Sequence, residues 1–482
     1  MHISRIGITG FRRTSSHAKE IAALLVVIII QLDAVRITVA QSYPSTPPPA
    51  SGGITEPQGL TLALAVDIAL RTNPMVRATT SGSELAEAQL GEARSGRMPF
   101  LQFSETVTRS NNPVFVFGSL LEQGRFAEQN FALSSLNAPD AVNNFRTALT
   151  FRIPVFDQKQ TTTRINQAEL GASQAALQHD LVQQQIRFEV LRAYYALVVA
   201  EAKQAVADEA VLMAESDVKR VRDMYEAGMV VQSDLLSVEV QLAEFRQQQI
   251  QAQGDIITAR AGLNTALGIA IDTPNKVTGQ LLEKSFQVAD QPELIRLALA
   301  KRPEIARARN DLASSKERVR GARGEFLPRI DFFGSVGASG QGLASGSSDY
   351  ALGASVTFNI FDAGRSARIN QARAAEALAS AEQEQTANQI RFEVVRAYQQ
   401  YVSARARVTV ARQAVEQAKE SLRIVQDRYR EGLTTVTETL RAETAFVRSR
   451  LALLGARYDH YVGYAGILLA TGTLNDVQPF AS

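Results

Sequence analysis

The 482-residue chain is 45% hydrophobic and 21% charged, the balance of a folding protein and not of a disordered one. It contains no cysteine, which excludes a disulfide framework and thiolate chemistry. Its 51 basic and 49 acidic residues become 46 and 47 once residues 1–40 are set aside, and no clustered basic face points to nucleic acid.

Residues 1–40 are expected to be an export signal. Arg5, Arg12, Arg13 and Lys19 precede the apolar run IAALLVVIII, and TVA ending at Ala40 offers small residues for cleavage. The run is too short to span a bilayer as a helix and stops at Gln31 and Asp33. Residues 41–58, QSYPSTPPPASGGITEPQ, read as a flexible Pro/Ser/Gly leader.

From residue 59 the chain follows one plan twice, over 59–290 and 291–475, with a tail at 476–482. Each half starts with helical segments and then alternates. Phe145, Thr147, Leu149, Phe151 and Ile153 stand against Arg146, Ala148, Thr150 and Arg152, the period of a strand, and a weaker run begins at Leu101. This predicts strands at about 100–109 and 144–154. The intervening SNNPVFVFGSLLEQGRFAEQNFALSSLNAPDAVNN is long and apolar, suited either to folding over a pore mouth or to a surface loop packed by lipid or neighbours. In the second half, Ile330 to Ala338 and Tyr350 to Ile360 alternate likewise, predicting strands at about 328–338 and 350–361 with ASGQGLASGSSD as a Gly/Ser loop between them. Its G-x-G is no phosphate cradle, because no helix opens behind it.

The rest reads as long helix. Between Thr161 and Glu226 there is no proline and only Gly171, and between Ser366 and Glu431 there is neither. Ile390, Val394, Ala397, Tyr401, Ala404 and Val408 step by four and three, a coiled-coil seam, and Phe188, Leu191, Tyr195 and Val198 form a second stripe. Helices of this length reach roughly 100 Å, too polar for lipid and too long for a globular domain. They reverse at MYEAGMVVQSDLL (224–236) and RYREGLTTVTETL (428–440). IRFEVLRAYYA at 186–196 recurs as IRFEVVRAYQQ at 390–400, and the pairs Phe188/Phe392 and Tyr225/Tyr429 are both 204 residues apart. So long a match is an internal duplication. Four strands cannot close a barrel alone, and open edges in lipid leave backbone groups unsatisfied, so membrane-bound strands require an oligomer; two or three copies both give an even strand number.

The double repeat, the LTLALAVDIALRTNP start, the PVFD and IFDAG exits from the second strand of each half, and the Y-x-x-G-x-x-x-x-[ST]-[DE]-x-L turns resemble the TolC-like outer-membrane efflux channels over residues 59–475. The resemblance implies a mainly α fold with membrane β-structure. Long antiparallel helical hairpins build a coiled-coil tunnel in the periplasm, and four strands per chain contribute to the twelve-stranded barrel of a homotrimer set in outer-membrane lipid. It implies a periplasmic adaptor and an inner-membrane pump as partners, no cofactor and no metal. The duct is passive, matching the lack of any G-x-x-x-x-G-K-[ST] motif. By position, Ser233 and Asp234 match the first-hairpin partners of the family's closed gate, Tyr429 its gating tyrosine and Glu438 an acidic ring. Thr434 stands where an arginine can close the gate and Arg441 where a second acid can occur, so an Arg441–Glu438 contact is expected to replace part of the network. Adaptor docking would use the tips Ala227, Gly228, Met229, Val230, Glu431, Gly432, Leu433 and Thr434.

Elementary turn chemistry accounts for part of the same motif. Gly228 and Gly432 suit left-handed helix ends, Thr435 with Glu438 suits a capping box, and Asp234 suits a helix N-terminus. No histidine cluster supports an enzyme; His179 and His460 are expected to be solvated. The rival class is a coiled-coil envelope scaffold whose alternating segments form a small soluble sheet.

Overall fold

The computed structural model describes residues 59–343 and 345–480; the expected signal and leader at 1–40 and 41–58 lie outside them, as do residues 481 and 482. Helices α1 (Leu62–Thr72) and α2 (Pro74–Ser95) open the chain. They are separated by Asn73, whose Oδ1 accepts from Met75 N–H at 2.9 Å and whose side-chain amide donates to Ala266 O at 2.9 Å. Strand β1 (Phe100–Ser110) leads through helices α3 (Pro113–Glu122) and α4 (Leu133–Asn137) to β2 (Val142–Asp157). The first long hairpin is α5 (Gln160–Glu226) with α6 (Gln232–Leu267). Then come α7 (Gln291–Lys301), α8 (Pro303–Gly324), strands β3 (Arg329–Gly342) and β4 (Ser345–Thr357), and the second hairpin, α9 (Arg365–Arg430) with α10 (Val436–Ala470).

Helix α5 has 67 residues and α9 has 66, about 100 Å each at the α-helical rise. The seam expected on α9 is buried at all six positions from Ile390 to Val408, and on α5 Leu191, Tyr195 and Val198 are buried with Phe188 packed beside them. Where the two hairpins meet the shorter helices, tyrosines join the seams to irregular backbone. Tyr194 Oη donates to Leu60 O at 2.9 Å, Tyr401 to Phe286 O at 3.1 Å, Tyr461 to Leu282 O at 2.9 Å and Tyr195 to Phe480 O at 2.8 Å. Each ring buries its apolar body while its hydroxyl satisfies a backbone carbonyl, and the tail residue Phe480, 1% exposed, belongs to the core.

Both histidines depart from expectation. His460 is 7% exposed, its ring stacked on Tyr401 at 5.2 Å and packed against Phe286, because it follows Ala456 on the buried stripe of α10. His179 is half-buried, its Nδ1 3.0 Å from Thr79 Oγ1 and its Nε2 2.7 Å from Gln183 Nε2.

The strands form one antiparallel sheet in the order β1-β2-β3-β4. Most of ASGQGLASGSSD lies within β3 and β4 and not in a loop, since small residues pair across the strands, Ser339 with Ser347 and Gly342 with Ser345. At its other end β4 stops at Thr357, so Phe358 and Ile360 continue the alternation beyond the paired strand.

Candidate functional site

The cross-strand register sorts the sheet into two unlike faces. Thr106, Arg146 and Ser339 lie side by side, as do Ser104, Ala148, Gly337 and Asp349, and Gln102, Thr150, Ser335 and Ala351. The opposite face carries Val107, Phe145 and Gly340, then a polar row of Glu105, Thr147, Ala338 and Ser348, then Phe103, Leu149, Val336 and Tyr350, then Leu101, Phe151, Gly334 and Leu352. Phe103 is 69% exposed and Tyr350 77%, an apolar surface with no cover among the described residues. A band of two such apolar rows, Phe103 to Tyr350 and Leu101 to Leu352, backed by polar and small residues on the other face, is the pattern of a membrane barrel wall around an aqueous lumen. The outer strands β1 and β4 each have one edge unpaired within the sheet. Among the described residues no helix is long and apolar enough to cross a membrane.

The β1–β2 connection sits on the polar face. Asn112 caps α3, its Oδ1 accepting from Val114 and Phe115 N–H, and Val116 and Leu120 are buried as α3 packs on β2 and β3. Arg146 then ties three elements together. Its guanidinium donates to Asp349 at 2.9 Å and to Ser339 Oγ at 2.9 Å, and lies 3.5 Å from Glu122 at the end of α3. Beside it the buried Gln123 amide donates to Asn143 O and Asn144 Oδ1.

At the far end of the helices both reversals use the same backbone device. Gly228 N–H donates to Tyr225 O and Met229 N–H to Met224 O, and Gly432 and Leu433 repeat this with Tyr429 and Arg428. These are Schellman turns, with φ of 72° at Gly228 and 70° at Gly432. A Cβ at either glycine would meet nothing within 4 Å, so left-handed backbone alone demands glycine there. Ala227, Gly228, Met229, Glu431, Gly432 and Leu433 are exposed, with Val230 and Thr434 half-buried.

The expected gate residues gather at this end. Ser233 and Asp234 lie in the first turn of α6, and Glu438 and Arg441 near the start of α10, their side chains paired at 2.8 Å. The expected capping box is not formed. Thr435 is the N-cap without a side-chain bond, because Glu438 is drawn along its own helix to Arg441. Tyr429 packs with Val218, Val221, Val238 and Val436, and its hydroxyl lies 4.0 Å from Met224 Sδ on the first hairpin instead of bonding to Asp234. Burial, then the charge of Asp234, raises its phenol above the ordinary value of 10.

Sequence reading missed a polar cluster one layer deeper. Asp217 on α5 and Glu443 on α10 are 6% and 0% exposed, with Gln426 against Glu443, Thr439 one turn before it and Gln241 bonded to the adjacent Thr444. A signal was available: Ala210, Ala214, Asp217 and Val221 step by four, three and four, as Thr439, Glu443 and Val447 step by four, which puts acids on apolar seams.

Paired long helical hairpins, joined to a two-faced sheet with open edges, define a subunit of a channel that continues a membrane barrel into a helical tunnel. The chain belongs to the outer membrane efflux protein family, whose model matches residues 65–269 and 294–473. It is 26% identical to protein CyaE of Bordetella pertussis over 417 residues, covering 85% of this chain and 82% of that one. It is 24% identical to outer membrane protein TolC of Escherichia coli over 433 residues, covering 84% and 80%. The CmeC outer membrane channel of Campylobacter jejuni shares the fold, with a TM-score of 0.73 at 18% identity over 86% of this chain and 85% of that one. The protein is therefore an outer-membrane efflux or export channel with its helical part in the periplasm, and not a soluble scaffold.

Proposed function

We propose that three copies close a twelve-stranded barrel, β4 of each pairing with β1 of the next, and that the hairpins continue it as a tunnel closed at the periplasmic tips. The observation that carries this reading is the register that lines up apolar rows, Phe103 to Tyr350 and Leu101 to Leu352, on one face across all four strands while both edges stay open. The duct is passive and catalyses nothing. It receives cargo from a periplasmic adaptor and inner-membrane pump, the adaptor seating on the tips Ala227–Val230 and Glu431–Thr434. Tyr429, which reaches the first hairpin, and Glu438 with Arg441 hold the tip closed, with Ser233, Asp234 and Thr434 lining it. At the outer mouth the β1–β2 connection, tied to the polar face by Arg146, narrows the lumen.

The test is a planar-bilayer recording of purified protein that runs as a heat-sensitive trimer. Wild type should conduct weakly and the Tyr429→Phe, Glu438→Ala double variant more strongly. A monomer without conductance would sink the channel reading, and an intact trimer with unchanged conductance would sink the gate assignment.

A further inference from the structure

The cluster at Asp217 and Glu443 lies between two apolar layers. Toward the tips it is bounded by Val218, Val221, Val238 and Val436, and on the other side by Val206, Ala210, Ala214, Phe245 and Val447. All four long helices contribute at this level: Asp217 from α5, Gln426 from α9 against Glu443 of α10, and Gln241 from α6, whose Oε1 accepts from Thr444 next to Glu443. It is eleven residues before Gly228 on one hairpin and eleven after Gly432 on the other, the same depth on each. At 1.5 Å per residue that is about 16 Å from the tips.

Helices α5 and α10 pack against each other, and Asp217 acts directly on the Glu443 carboxyl. Arg220 holds Asp217 Oδ1 at 3.2 Å, and the Gln426 side-chain amide faces Glu443 Oε1 at 3.4 Å. Asp217 Oδ2 and Glu443 Oε2 are buried and receive a donor from none of the described residues. Two ionised carboxylates cannot satisfy one another, since each only accepts; a single proton between them supplies the missing donor and removes one buried charge. The charged and titratable groups facing the pair are Arg220 from α5 and Tyr429 from α9; Gln241, Gln426 and Thr439 are neutral. With Arg220 on Asp217, the proton resides on Glu443. Burial first, then the hydrogen bond and charge of Asp217, push the Glu443 carboxyl up to about 8.

We propose that Asp217 and Glu443 form a shared-proton clasp between the two hairpins, which holds the periplasmic end closed when protonated and drives α5 and α10 apart when the proton leaves. The clasp deepens the gate reading above and rests on it. The sign follows from linkage: a carboxyl whose folded pKa is raised contributes stability that is complete below its unfolded value and is lost as pH rises through the folded value. The clasp is therefore firmest in acid, weakens as pH rises and is released in alkali, above about 8.

Two measurements on the purified trimer test this. Infrared titration of wild type should show a buried carboxylic acid at neutral pH that ionises in alkali, and Glu443→Gln should remove that band. Bilayer recordings over the same range should show wild-type conductance stepping up with deprotonation. Glu443→Gln, whose amide still donates to Asp217, should lose the step and stay in the low-conductance state; Asp217→Asn should move the step to lower pH. Absence of the wild-type band would overturn the clasp even if no variant assembled, and would leave the gate assignments of Tyr429 and Glu438 untouched. A titrating band with flat wild-type conductance, or a Glu443→Gln channel that steps like wild type, would overturn its coupling to opening.

Discussion

His460 is a charge-capable group placed where only its neutral form is comfortable. Burial, and then the nearby charge of Arg405, hold its imidazole below the ordinary 6.5, and its Nε2 is buried without a partner. The unfolded chain takes up the proton more readily than the fold does, so stability rises with pH and is lost as pH falls below about 6.5. A His460→Phe variant keeps the stacking on Tyr401 and removes the proton site. Thermal unfolding should show it less sensitive than wild type between about pH 6.5 and 5; equal sensitivity would place the acid-labile group elsewhere. Glu443 titrates in the opposite sense, its contribution falling as pH rises, so the two variants are separable by the direction of their pH dependence. Both residues stand on apolar stripes of α10, a pattern passed over in expecting a solvated His460. The partner of Glu443 was not legible: Asp217 and Glu443 are 226 residues apart, and only the packing of α5 on α10 brings them together.

Among the elements, periodic ones were the most legible. Side chains along α9 and along each strand repeat at the spacing of their backbone, so Ile390 to Val408 and Phe145 to Ile153 declare their faces without any partner. The Gly/Ser segment between β3 and β4 was misread because composition signals flexibility, whereas pairing of small residues across strands depends on register. The site of the long β1–β2 connection was undecidable for the same reason, since its apolar residues suit lipid as well as a lumen. What decides is Arg146, whose face is set by pairing with Ser339 on β3. Its ion pairs are partly exposed, so Arg146→Ala should cost about 1 kcal/mol locally, read as roughly fivefold faster amide exchange over α3 with the trimer intact. Replacing residues 112–141 by a short Gly/Ser turn should raise conductance, most clearly in a channel already opened at the tip. A deletion without effect there would mean that the connection leaves the lumen free.

For the whole molecule, the distribution of apolar surface decides what can exist. The buried cluster around Tyr194, Tyr195 and Tyr461 lies in the helical part, where α1, α7, the 271–290 segment and Phe480 close over the hairpins. The sheet has no such core; its apolar face waits for lipid and its edges for other copies. Because each junction joins unlike edges, the proposed ring has no spare contact, and a copy with a spoiled β4 breaks the circle however sound its other parts are. That gives the open edges a genetic consequence. A second gene encoding the chain with prolines at Ala351 and Leu352 should be dominant over the normal one. At equal expression and random mixing, only about one assembly in eight contains three sound copies; with the chains doubled in number, channel activity should fall about fourfold instead of staying unchanged.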